Sequence, residues 1–133
     1  MSDFPLKSLT LSLSPGRMAV CSLKPGTEIP AWAAAGSFFS ITRTPDELSI
    51  VCEEQLVPVG TRVEAGWCAL KVEGPLDFSL TGILAGLSGA LARAGISLFA
   101  VSTFDTDYIL IKEEDQQDAI AALRDAGCTV QSA

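Results

Sequence analysis

Two short segments concentrate the residue types that could do chemistry. Ser102-Thr103-Phe104-Asp105-Thr106-Asp107 packs two carboxylates and three hydroxyls into six positions between two apolar runs. Asp107 could meet an amino or guanidinium group, with Thr103 and Phe104 shaping a pocket wall. Ordinary Asx and Ser/Thr turn chemistry would explain the same residues without any ligand. The second segment is Gly74-Pro75-Leu76-Asp77-Phe78-Ser79-Leu80-Thr81-Gly82. A loop that opens a helix presents free backbone N–H groups, which suit a carboxylate, and Asp77 or Ser79 can cap that helix. A plain capped loop fits these residues as well. A third arrangement uses Asp105 and Asp107 as an acid–base pair, since neighbouring carboxylates can separate their pKa values and positions i and i+2 of a strand share a face.

Composition narrows the chemistry further. The chain has no histidine, which removes Ser-His-Asp and Cys-His arrangements. Cys21, Cys52, Cys68 and Cys128 are scattered, with no C-x-x-C spacing to hold zinc, and read as small core residues. No glycine-rich phosphate loop of either standard spacing is present, so no cofactor is expected. Nine Lys and Arg stand against sixteen Asp and Glu, a formal charge of −7 that disfavours nucleic acid and anionic lipid. Met1–Ser14 lacks the basic head of a signal peptide. Leu80–Ala92, the longest nearly uncharged helical stretch, is too short to span a bilayer. The expectation is a cytoplasmic protein. An apolar share of 48 % against 19 % charged residues supports a buried core.

The elements that position the two segments come from periodicity. Trp67–Val72 is an apolar run stopped at Gly74-Pro75. Leu80, Leu84, Leu87 and Leu91 then recur at spacings of one helical face, and Gly95 stands where a helix ends. Ile96–Val101 and Tyr108–Ile111 are apolar at both parities, which marks strands buried on both faces. Asp115 starts a second helix with Ala119, Ile120 and Leu123 inward and Gly127 as its stop, and Cys128–Val130 is a last strand. The order is β-α-β-β-α-β, an α+β fold of ferredoxin-like type with both helices on one face of a four-stranded antiparallel sheet.

The first half reads as a weaker copy. At an offset of sixty, Ser37–Thr42 falls on Ser97–Ser102, Leu48–Val51 on Tyr108–Ile111, Glu53-Glu54 on Glu113-Glu114 and Leu9–Ser14 on Ala69–Gly74. Met18–Leu23 is a further strand. Ala31–Ala35 offers a turn or two of helix around Trp32, and Pro58 with Gly60 bars a full second helix. Trp32 and Trp67 read as packing anchors.

The string Gly74–Gly82, then Ala94-Gly95-Ile96, then Ser102-Thr103-Phe104-Asp105-Thr106-Asp107-Tyr108-Ile109-Leu110 resembles the small bacterial tandem ACT-domain proteins. Those are related to the ACT domains of the CASTOR-type arginine sensors and, more distantly, to aspartate kinase regulatory regions. The resemblance implies tandem ferredoxin-like units, a degenerate one over residues 1–63 and an intact one over 64–133. It implies non-catalytic amino-acid binding at the seam between ACT units. Thr103, Phe104 and Asp107 would contact the ligand, together with the loop residues Gly74, Asp77, Phe78 and Ser79. The ligand would be an amino acid, a cationic one if Asp107 receives its side chain. The arginine sensors carry four ACT units and this chain has room for two, so either the degenerate half or a second copy of the chain in a homodimer would complete the site, and a partner enzyme or regulator would read it. A protein-docking module without ligand, built on the apolar sheet face and the small-residue helix, is the competing reading.

Overall fold

The computed structural model describes residues 6–73 and 82–132. In chain order the strands are β1 (Thr10–Leu13), β2 (Met18–Leu23), β3 (Ser40–Arg43), β4 (Leu48–Glu53), β5 (Val63–Val72), β6 (Phe99–Ser102), β7 (Asp107–Lys112) and β8 (Thr129–Gln131). The helices are α1 (Ile83–Arg93) and α2 (Gln116–Asp125), with 3-10 turns at Ala31–Ala34, Glu54–Leu56 and Glu113–Asp115 among others. Two compact units form: residues 16–67 make one, and residues 6–15 with 68–132 make the other.

In the unit of residues 16–67 the strand order is β3-β4-β2-β5, all antiparallel. That is a ferredoxin-like order in which 3-10 turns stand where helices would be. Leu48, Ile50 and Cys52 of β4 share a face with Ala19 and Cys21 of β2, and Ala33 of the 3-10 turn closes over them. Trp32 packs against this cluster as a part-buried anchor. The short helical turn was legible from Ala31–Ala35, and Pro58 keeps the return segment from coiling further.

The other unit holds the full helical complement. Leu70 and Val72 of β5, Ile109 and Ile111 of β7, Leu11 of β1 and Val130 of β8 face Leu87 and Leu91 of α1 and Ala119 and Leu123 of α2. Both helices therefore lie on one sheet face. Ile109, Leu110 and Ile111 are successive residues at 0 % exposure, so β7 is buried on both faces, as its apolar run at both parities requires. Leu84, expected on the inner face of α1, packs at its margin, while Ile83 and Ala90 are buried instead.

Both helices end alike. After α1, the Ile96 amide donates to the Leu91 carbonyl and the Gly95 amide to Ala92. After α2, Cys128 donates to Leu123 and Gly127 to Arg124. Each is a Schellman motif, which needs a left-handed residue at C′, and Gly95 (φ 75°) and Gly127 (φ 107°) supply it.

The expected sheet and the expected place of β1 are corrected. The sheet of this unit is not four antiparallel strands: β1 lies between β5 and β8, antiparallel to the first and parallel to the second. Leu11 stands opposite both Val72 and Val130, so the alternating apolar residues of β1 join this core. The described part of α1 begins at Ile83 with Gly82 before it and no side-chain cap, and the capping candidates Asp77 and Ser79 lie outside the described residues.

The internal repeat is also displaced by fifty-nine residues rather than sixty: β3 at Ser40 answers β6 at Phe99, β4 at Leu48 answers β7 at Asp107, and the 3-10 turn at Glu54 answers Glu113. Ser40 pairs with Val51 as Phe99 pairs with Leu110. A slip of one residue would have exchanged the two faces of every strand.

Candidate functional site

The β6–β7 turn is built by threonine. The Thr103 amide donates to the Thr106 carbonyl at 2.8 Å, and the Thr103 hydroxyl donates to the same oxygen at 3.0 Å. The Thr106 amide in turn donates to the Thr103 hydroxyl at 3.2 Å. The Thr103 side chain is thus engaged in closing the turn, which is the Ser/Thr turn chemistry weighed above.

The closed turn projects two other groups. Phe104 sits at the tip, 79 % exposed. Asp107 opens β7 opposite Ser102, whose hydroxyl donates to its carboxylate at 2.6 Å. Asp107 is half-buried. A carboxylate oriented by a hydroxyl in this way is suited to an ammonium or guanidinium group.

Thr106 points the other way. It is buried, and its hydroxyl donates to the Val72 carbonyl at the end of β5. This residue belongs to the polar string Ser102–Asp107. A threonine between two aspartates in a hairpin turn gives no local sign that it alone faces inward. Asp105 lies in the turn and outside β7, so the strand geometry that would align it with Asp107 does not apply. Gly74, Asp77, Phe78 and Ser79 lie outside the described residues.

The remaining reactive groups are engaged or inert. The four cysteines are free and buried, and burial pushes the thiols of Cys21, Cys52 and Cys128 up. Cys68 donates to the Ile111 carbonyl. Among the described residues no group of three or more His, Cys, Asp or Glu could hold a metal ion. No described helix is long and apolar enough to cross a membrane.

Strand order and helix placement together define an α+β module of ferredoxin-like fold. Part of the chain is similar to the ACT-domain family. The family model described as ACT domain matches residues 62–125, and a second model, of an N-terminal domain, matches residues 16–60. A crystal structure from Agrobacterium tumefaciens is 39 % identical, with 94 % of this chain and 93 % of that one covered, at a TM-score of 0.89. The cytosolic arginine sensor for mTORC1 subunit 1 of Bos taurus is 31 % identical over 65 % of this chain. The chain spans only 30 % of that sensor's length. The regulatory subunit of aspartate kinase from Thermus flavus shares the fold, with a TM-score of 0.62 at 14 % identity over 87 % of this chain and 95 % of that one.

Proposed function

We propose that this chain is a non-catalytic cytoplasmic regulatory protein that binds a free amino acid through its ACT unit. The observation that carries the reading is Asp107, a half-buried carboxylate that accepts the Ser102 hydroxyl at the start of β7. Asp107 would take the α-amino group or a cationic side chain, with Thr103 and Phe104 forming the wall. Gly74, Asp77, Phe78 and Ser79 would meet the carboxylate end. Similarity to a protein named as an arginine sensor favours a cationic ligand. The second wall would come from another ACT unit, in a homodimer, and a partner enzyme or regulator would respond to the occupied state.

A thermal-shift panel of the common amino acids tests this. A ligand that binds only the folded state stabilises it by about 2.7 kcal/mol at a hundredfold excess over Kd. The melting midpoint should rise by several degrees for the true ligand. No shift for any amino acid at millimolar concentration would reject sensing and leave protein docking, which the exposed Phe104 favours.

A further inference from the structure

We infer that Thr106 is the positioning residue of the binding turn: its hydroxyl latches the β6–β7 turn onto the end of β5, which sets where Asp107 stands. The inference rests on the proposed binding role of that turn. Among the described residues Thr106 is the buried polar side chain. Its hydroxyl donates to the carbonyl of Val72, a residue with no exposed surface. Its amide and carbonyl both meet Thr103. One residue therefore closes the turn from within and fixes it from without.

The internal repeat supplies an independent argument. Thr44 closes the β3–β4 turn with the bonds Thr103 makes, its amide donating to the Glu47 carbonyl at 3.0 Å and its hydroxyl accepting the Glu47 amide at 3.2 Å. Glu47 therefore occupies the place of Thr106. Its carboxylate accepts the Ser22 hydroxyl at 2.8 Å. Ser22 belongs to β2, the neighbour of β4, just as Val72 belongs to β5, the neighbour of β7. Both turns are tied to the strand beside them, by different atoms with the donor reversed. What recurs is the fixed position of the turn, and in the β6–β7 copy that position carries Asp107 where the other copy has the buried Leu48.

The test uses the full chain with Thr106→Val, which keeps the shape and removes the donor, and Thr106→Ser, which keeps the hydroxyl. Amide exchange of Thr103 should accelerate about tenfold or more in the valine variant, while the Ile96 and Cys128 amides at the helix ends keep their rates. The serine variant should return Thr103 to near the wild-type rate. L-arginine titration should weaken by about tenfold in the valine variant and recover in the serine variant, as loss of a buried hydrogen bond predicts. Unchanged Thr103 exchange in Thr106→Val overturns the inference, and so does a released turn with undiminished arginine affinity. A released turn in a protein whose wild type binds no amino acid sustains the latch and rejects the binding reading instead.

Discussion

The Ser102 hydroxyl donates to the Asp107 carboxylate at 2.6 Å across the pair of residues that closes the β6–β7 hairpin. The bond uses one oxygen and orients the group. Replacing Asp107 with Asn removes the charge and keeps the shape. Binding of a cationic amino acid should fall by roughly tenfold or more, since hydrogen bonds to charged groups are the strong ones. Ser102→Ala should cost less, because it loosens the carboxylate without removing it. Both residues are at least partly exposed, so neither change should move the melting midpoint by more than about 2 °C. Isothermal titration beside a melting curve separates the two quantities, and an Asp107→Asn protein that binds as tightly as wild type would sink the assignment.

The two helix-ending glycines give a paired stability prediction. At Gly95 an added Cβ meets open space, so Gly95→Ala carries only the left-handed backbone cost, about 1–2 kcal/mol. At Gly127 the Cβ would lie 2.8 Å from Lys7 Cγ and 3.5 Å from Lys7 backbone atoms. Gly127→Ala should therefore be the more destabilising of the two. Chemical denaturation of both variants decides it, and equal midpoints would mean that Lys7 yields without cost.

Much of this architecture was readable, and the failures have physical causes. Met18–Leu23 appears as a strand with the bounds its composition implies, and the inward residues of α2 follow the helical period. The repeat was displaced by one residue because Ile109, Leu110 and Ile111 are all buried, so hydrophobicity cannot distinguish the two faces of β7. The turn threonines Thr44 and Thr103 carry the true register, through identical hydrogen bonds. The place of β1 was not readable, since four residues of alternating polarity specify a strand but not which distant strands it joins. In the candidate site, Asp107 was visible as a charge among hydroxyls, whereas Thr106 matters through its contact with Val72, thirty-four residues away.

Alkaline pH should weaken the fold through Cys52. Burial pushes this thiol up from 9.0 to about 11, and the neighbouring Cys21 and Glu53 add to the effect. The folded state therefore holds the proton more tightly than the unfolded chain. Stability from this group is complete below pH 9.0 and is lost as pH rises through about 11. Denaturant midpoints should fall across that window in the wild type and fall less steeply in Cys52→Ala. An identical slope in the two proteins would show that other groups carry the alkaline loss.

Acid acts through Glu53, with the opposite sign. Its carboxylate accepts the Ser37 amide at 2.8 Å and the Ser37 hydroxyl at 3.1 Å, and Gln55 donates to its other oxygen at 3.0 Å. These bonds, those from Ser37 foremost, hold Glu53 below its ordinary value of 4.5. The contribution is present above pH 4.5 and is lost as pH falls through the lower value of the folded state. Glu53→Gln keeps one acceptor oxygen but no charge, so the Ser37 loop should already be loosened at neutral pH. The variant should then lose less on acidification than the wild type does. Melting midpoints taken from about pH 6 down to about pH 3 compare the two slopes, the window in which carboxylates with depressed pKa values protonate. Parallel curves would mean that the Ser37 amide finds an equally good partner in water, and that the clamp adds nothing to the fold.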